Sequence, residues 1–183
     1  MSQHPFYRFA FAAVLSAALP AASACSSDKA SSSAVDVDMS GVVREGLVSD
    51  DQLRVVLANP PLDWSWAGGQ FDAPADKATL SSSTPFVFAW HADPTEDTPA
   101  AGAPDDFEMV HLLEFSTPSK PQLLRVFSSL DSYTPDAAAW QTLHDAAQGE
   151  AITLSLTSAT FQNDGLTPNG GPFIGQQLTF TIE

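Results

Sequence analysis

The stretch Phe86-Val87-Phe88-Ala89-Trp90-His91 alternates large aromatic residues with smaller or polar ones. Ile152-Thr153-Leu154-Ser155-Leu156 and Gln177-Leu178-Thr179-Phe180-Thr181-Ile182 repeat the same two-residue period. A strand sends successive side chains to opposite faces, so this period predicts three half-buried strands that each turn one apolar row toward a core. Less regular apolar runs at residues 53–57, 62–66, 107–115 and 123–127 read as further strands. Turn formers separate the runs, among them Asn163-Asp164-Gly165 and Asn169-Gly170-Gly171. Repeated short strands without a βαβ rhythm predict a mainly β chain folded as an antiparallel sandwich or barrel.

One helix interrupts the pattern. Thr134 can cap, Pro135 suits the first helical position and Gly149 can terminate, so residues 135–148 contain a short helix with the apolar stripe Trp140, Leu143 and Ala147. His144 lies at the edge of that stripe and reads as a packed structural residue.

The N-terminus has a different character. Arg8 precedes residues 9–19, which are apolar apart from Ser16, and Pro20 and the small residues Ala21-Ala22-Ser23-Ala24 follow. That is the order of a secretory signal, so residues 1–24 are expected to be a cleavable signal peptide. The apolar core is about a dozen residues, against roughly 20 for a membrane-crossing helix. Two cleavage chemistries fit. Ala22-Ser23-Ala24 is a small-x-small site for ordinary processing, while Ala22-Ser23-Ala24-Cys25 resembles a bacterial lipobox, with Ala22 where a bulky aliphatic residue is usual. The lipobox resemblance implies lipid attachment at Cys25 and a membrane partner through that anchor. Cys25 is the sole cysteine of the chain, so no internal disulfide competes for it. Ser26 after it implies, by the same resemblance, the outer membrane of the cell envelope; without the lipid the protein is expected to be periplasmic or secreted.

Residues 25–40, rich in Ser and Ala, read as a disordered tether, and residues 41–183 as one β-sandwich domain. The full chain carries 22 acidic residues against 7 Lys and Arg, a formal charge of −15. Without residues 1–24 the balance is 6 − 22 = −16. The remaining cations are scattered singly along the chain, which excludes nucleic acid as a partner. The acidity reads as a solubility device.

From Ser83 onward the order of signals resembles a fibronectin type III or related immunoglobulin-like domain. Phe86 to Pro94 looks like its second strand with the core tryptophan, Leu130-Asp131-Ser132-Tyr133-Thr134-Pro135 like the strand and turn bearing its tyrosine, and Ile152 to Leu156 like its sixth strand. The resemblance implies a fold and leaves activity open, because such sandwiches host adhesion, ligand binding and spacing alike.

Three sets of side chains are candidate sites. Trp64 and Trp66 would share one strand face beside Gly68-Gly69, as a stacking platform for a glycan or as core residues; the shared parity with Leu62 favours the core. The acidic, proline-rich residues 92–106 lie between His91 and His111, so His91, Asp93 and His111 form a candidate divalent-ion set, with calcium favoured over zinc because oxygen ligands dominate. Asp36-Val37-Asp38-Met39-Ser40-Gly41 starts like a calcium loop, but Leu47 stands where such a loop needs glutamate. No nucleophile elbow, paired-histidine zinc motif, phosphate loop or C-x-x-C is present. The expectation is therefore a non-catalytic envelope lipoprotein with no cofactor, binding or spacing a protein or glycan partner. A glycan- or calcium-binding module and a secreted hydrolase are the alternatives.

Overall fold

In the computed structural model, residues 36–63, 67–92 and 107–183 are described, all within one compact unit, Val35–Glu183. Along the chain they form β1 (Val42–Glu45), α1 (Asp50–Ala58), β2 (Gln70–Ala73), β3 (Ala78–Leu80), β4 (Phe88–His91) and β5 (Phe107–Ser116). There follow β6 (Leu124–Ser128), β7 (Ser132–Tyr133), α2 (Ala137–Ala147), β8 (Ile152–Gln162), β9 (Gly165–Leu166) and β10 (Phe173–Ile182). The larger sheet has the order β1-β6-β5-β8-β10-β3, with β9 paired to β8, and the smaller has the order β2-β4-β7.

The fold is mainly β, as the alternating stretches predict. The expected antiparallel arrangement holds throughout the small sheet and at the centre of the large one. In the large sheet β6, β5, β8 and β10 run antiparallel to one another in that order, whereas β1 lies parallel to β6 with Val42 opposite Arg125, and β3 lies parallel to β10 with Ala78 opposite Phe180. The large sheet is thus mixed. A tight hairpin forces its strands antiparallel, but β1 and β3 reach their partners from far along the chain and are free of that constraint.

Alternation divides the large sheet into two faces. Ile152, Leu154 and Leu156 of β8 and Leu178, Phe180 and Ile182 of β10 are buried on one face, together with Leu113 and Phe115 of β5. Phe88, Trp90 and Tyr133 of the small sheet and Trp140, Leu143 and Ala147 of α2 cover them. The Phe88 ring stands at 5.1 Å from Phe115, 5.5 Å from Phe180 and 6.3 Å from Trp140, centroid to centroid, in edge-on or tilted arrangements that aromatic rings favour. On the opposite face, Leu53 and Val56 of α1 cover Val110, Leu112, Phe127, Ala159 and Phe161.

α1 replaces the strand expected over residues 53–57. Leu53, Val55, Val56 and Leu57 read as an extended apolar run, but the segment begins with a capping box. The Ser49 hydroxyl accepts from Gln52 N–H at 3.1 Å, and the Gln52 side chain accepts from Ser49 N–H at 2.8 Å. Two of the helix's orphan donors are satisfied this way, and Asp50 and Asp51 in the first turn favour the positive end of its dipole. α2 matches its expected span and buried stripe, with Asp136 rather than Thr134 as the cap; its carboxylate accepts from Ala139 N–H at 2.7 Å. His144 is not packed inside: its ring is partly exposed and lies 3.0 Å from Asp145. Of residues 62–66, Leu62 makes a single bridge to Phe173, while 64–66 lie outside the described residues.

Candidate functional site

β5 builds two sites from its two faces. On the interior face, in the same parity as Leu113 and Phe115, it carries His111, in register with Ser128 of β6 and Ser158 of β8. The Trp90 ring from the small sheet stands edge-on to the imidazole at 5.7 Å. His111 Nδ1 lies 2.9 Å from Ser158 Oγ, and that hydroxyl donates to the Gly68 carbonyl at 2.7 Å. A serine has one hydroxyl hydrogen, and Gly68 takes it, so Nδ1–H is the donor to Ser158 in the neutral ring. The other nitrogen, Nε2, sits 3.7 Å from an Asp131 carboxylate oxygen that is 82% exposed. Water screens that charge, and burial dominates, pushing the His111 pKa down to about 4.

These three residues are the components of a serine–histidine–aspartate set, but the geometry does not suit nucleophilic attack. Ser158 is 1% exposed and directs its hydrogen away from the imidazole that would have to remove it. The relay ties residues 67–69 to the large sheet instead. Gly68 passes so close to β10 that a Cβ there would lie 2.2 Å from Gly175 N, which explains why glycine stands at that crossing.

The second site lies on the outer face. α1 covers only part of it, over Val110 and Leu112. Beyond that cover the row continues with Glu114 and Ser116 of β5 beside Thr153, Ser155 and Thr157 of β8. Two grooves open here and share Glu114 in their walls. One, of about 520 Å³, runs between Ser116, Ser155 and the hairpin residues Ser119 to Gln122. The other, of about 420 Å³, runs under the end of α1, against Leu57, Pro60, Pro61 and Leu112. Both volumes are in the range of small-ligand sites. Arg125, the cross-strand neighbour of Glu114, is turned away: its guanidinium donates to the Ser40 carbonyl at 2.9 Å and lies 3.8 Å from Asp38. Among the described residues the Glu114 carboxylate has no hydrogen-bond or ion-pair partner.

No protein-family model, curated protein or solved structure matches the chain.

The residues singled out in the sequence are dispersed. His91 is on β4 with parity opposite to Trp90, half-exposed and 2.9 Å from Asp72, whereas His111 is buried on the other sheet; the two do not share a surface. Asp93, Trp64, Trp66 and Cys25 lie outside the described residues. Among the described residues no group of three or more His, Cys, Asp or Glu is placed to hold a metal ion. In the segment that starts like a calcium loop, Asp38 accepts from Ser40 N–H at 2.9 Å and Ser40 Oγ at 2.6 Å, and these bonds hold its pKa below the usual carboxylate value. Its oxygens thus face donors already in place. Glu114 and Ser158 escaped the sequence reading because both sites arise from pairing between distant strands. The local signal is a carboxylate, Glu114, set inside the apolar run of residues 107–115, which also holds Glu108.

Proposed function

We propose that this chain is an exported lipoprotein of the cell envelope, anchored through Cys25 at the outer membrane, whose β domain is a non-catalytic module that binds or spaces a protein or glycan partner. The observation that carries the binding part is the open polar half of the outer sheet face, where two grooves meet at Glu114. Hydroxyl, amide and carboxylate groups there offer a partner both donors and acceptors. The anchoring part is supported by the signal order of residues 1–24 and by Cys25; no helix among the described residues is long and apolar enough to cross a membrane. The relationship to immunoglobulin-like or fibronectin type III domains belongs to the same proposal and is supported by two sheets packed across Trp90 and Tyr133.

Intact mass and membrane fractionation of the native protein and of Cys25→Ser test the anchor. The expected result is a wild type heavier by a diacylglycerol-type adduct and membrane-bound, with the variant lighter and soluble. Two soluble, unmodified proteins would refute it. Turnover of generic ester, glycoside or peptide substrates, abolished by a substitution in the groove, would refute the non-catalytic reading.

A further inference from the structure

We propose that Arg125 is a two-position latch, held by Asp38 and Ser40 while residues 38–40 lie against the domain and passing to the carboxylate of Glu114 when they lift. The device goes beyond the binding-module reading and does not depend on it, because every group involved belongs to the described domain. Three observations carry it.

The first is register. Val42 of β1, Arg125 of β6, Glu114 of β5 and Ser155 of β8 stand side by side in one row across the outer face of the large sheet. Residues directly opposite on antiparallel strands have Cβ atoms about 5 Å apart, well within the reach of an arginine. Rotation about the side-chain torsions of Arg125 therefore brings its guanidinium to Glu114 without a change in the backbone.

The second is the division of partners. The Arg125 side chain is 7% exposed, and its guanidinium donates to the Ser40 carbonyl at 2.9 Å and lies 3.8 Å from the Asp38 carboxylate. Glu114, directly across the strand pair, is half-buried and has no hydrogen-bond or ion-pair partner for its carboxylate among the described residues. Lys120, the other cation in the groove wall, donates to the Ala146 carbonyl at 3.1 Å. Opposite charges thus face each other across β5 and β6, and residues 38–40 keep them apart.

The third is the lightness of that hold. Asp38 and Ser40 are exposed, and Met39 between them is only partly buried against the cluster beneath α1. Asp38 accepts from Ser40 N–H and Oγ, which fixes the turn that presents the Ser40 carbonyl, and it also faces the guanidinium. Segments with few buried contacts open at low cost in free energy. A guanidinium this deeply buried is costly to leave without an acceptor, so lifting residues 38–40 drives Arg125 to the acceptor across the strand. The negative charge at the junction of the two grooves is then cancelled. In this way the grooves respond to whether the segment that enters the domain is docked.

The test is a double-mutant cycle on the processed protein recovered from cells, read by urea unfolding with tryptophan fluorescence. With residues 38–40 docked, Glu114→Gln should change the folding equilibrium constant by less than about two-fold. In the Asp38→Ala background, where the turn and the ion contact are both lost, the same substitution should lower it about five-fold, the size of a directly opposed and partly buried charge pair. In an Arg125→Gln background that difference should vanish. Should Arg125→Gln not fold, the contact itself decides: nuclear Overhauser effects between the Arg125 δ protons and the Glu114 γ protons are expected in Asp38→Ala and not in the wild type. The proposal is overturned if Glu114→Gln has the same effect in both backgrounds, if the difference survives Arg125→Gln, or if the contact is present in the wild type or missing from Asp38→Ala. A protein that proves to carry no lipid, or to bind no partner, would leave these results unchanged.

Discussion

Replacing His111 with glutamine should flatten the acid limb of the protein's stability curve. The imidazole is neutral in the folded protein because burial holds its pKa at about 4, against 6.5 for the free side chain. Below pH 6.5 the unfolded chain takes up a proton that the folded chain refuses, so stability falls as pH drops from 6.5 to about 4 and levels off beneath. At about 1.4 kcal/mol per pH unit that gap corresponds to about 3 kcal/mol. No discount for solvent applies to a side chain 2% exposed, and Asp131, which could stabilise the protonated ring, is itself largely in water. Asp38, Asp76, Asp145 and Glu150 also have lowered pKa values, through hydrogen bonds from Ser40, Thr179, Gln141 and Ser119 respectively, and lose stability in acid. They are common to both proteins and cancel in the difference. Glutamine keeps a donor for Ser158 and removes the titration. Urea unfolding followed by tryptophan fluorescence, from neutral pH to about pH 4, should show the wild type's advantage over His111→Gln shrinking by about 3 kcal/mol. A difference that stays constant across this window would refute the reasoning, as would an imidazole that titrates in the folded protein near 6.5.

Gly68→Ala places a Cβ within 2.2 Å of Gly175 N and Ile174 C, backbone atoms that cannot step aside without moving β10. A loss of about 3 kcal/mol is expected, seen as a melting point lower by about 6 °C or more; an unchanged melt would mean that residues 67–69 do not cross β10 there. Ser49→Ala removes the hydroxyl that accepts from Gln52 N–H, one half of the α1 capping box, and should cost about 1 kcal/mol in chemical unfolding, with Ser49→Asp restoring most of it. Equal stability of the alanine and aspartate variants would argue against the cap.

How much could be read from the chain alone depends on how local each signal is. β8, β10 and the buried row Phe88 and Trp90 of β4 were legible because a two-residue period needs no knowledge of the partner strand. α2 was legible because a stripe at helical spacing ended in Gly149. α1 was misread because four aliphatic residues in five look extended, and the decisive signal, Ser49 three residues before Gln52, lies just outside that run. The parallel edges were not legible: β1 and β3 are four and three residues long, too short to carry a pattern, and long-range pairing sets their register. The same holds for the sites. His111 was noted as a possible ligand, but its partners Ser158 and Gly68 become visible only when the register of β5 on β8 and the crossing over β10 are known.

Those parallel edges also govern the order in which the fold can be completed. β1 cannot be laid down until Arg125 and its neighbours in β6 exist, and β3 must wait for Phe180 to Ile182, the last residues of the final strand. The central hairpin of β5 and β6, by contrast, joins strands close in the chain. A chain delivered N-terminus first would therefore hold β1 open until β6 had arrived and β3 open until the end of β10. Such a chain closes late and slowly, since contacts between distant residues form slowly. That delay would suit the export proposed above, in which the chain crosses a membrane before it folds.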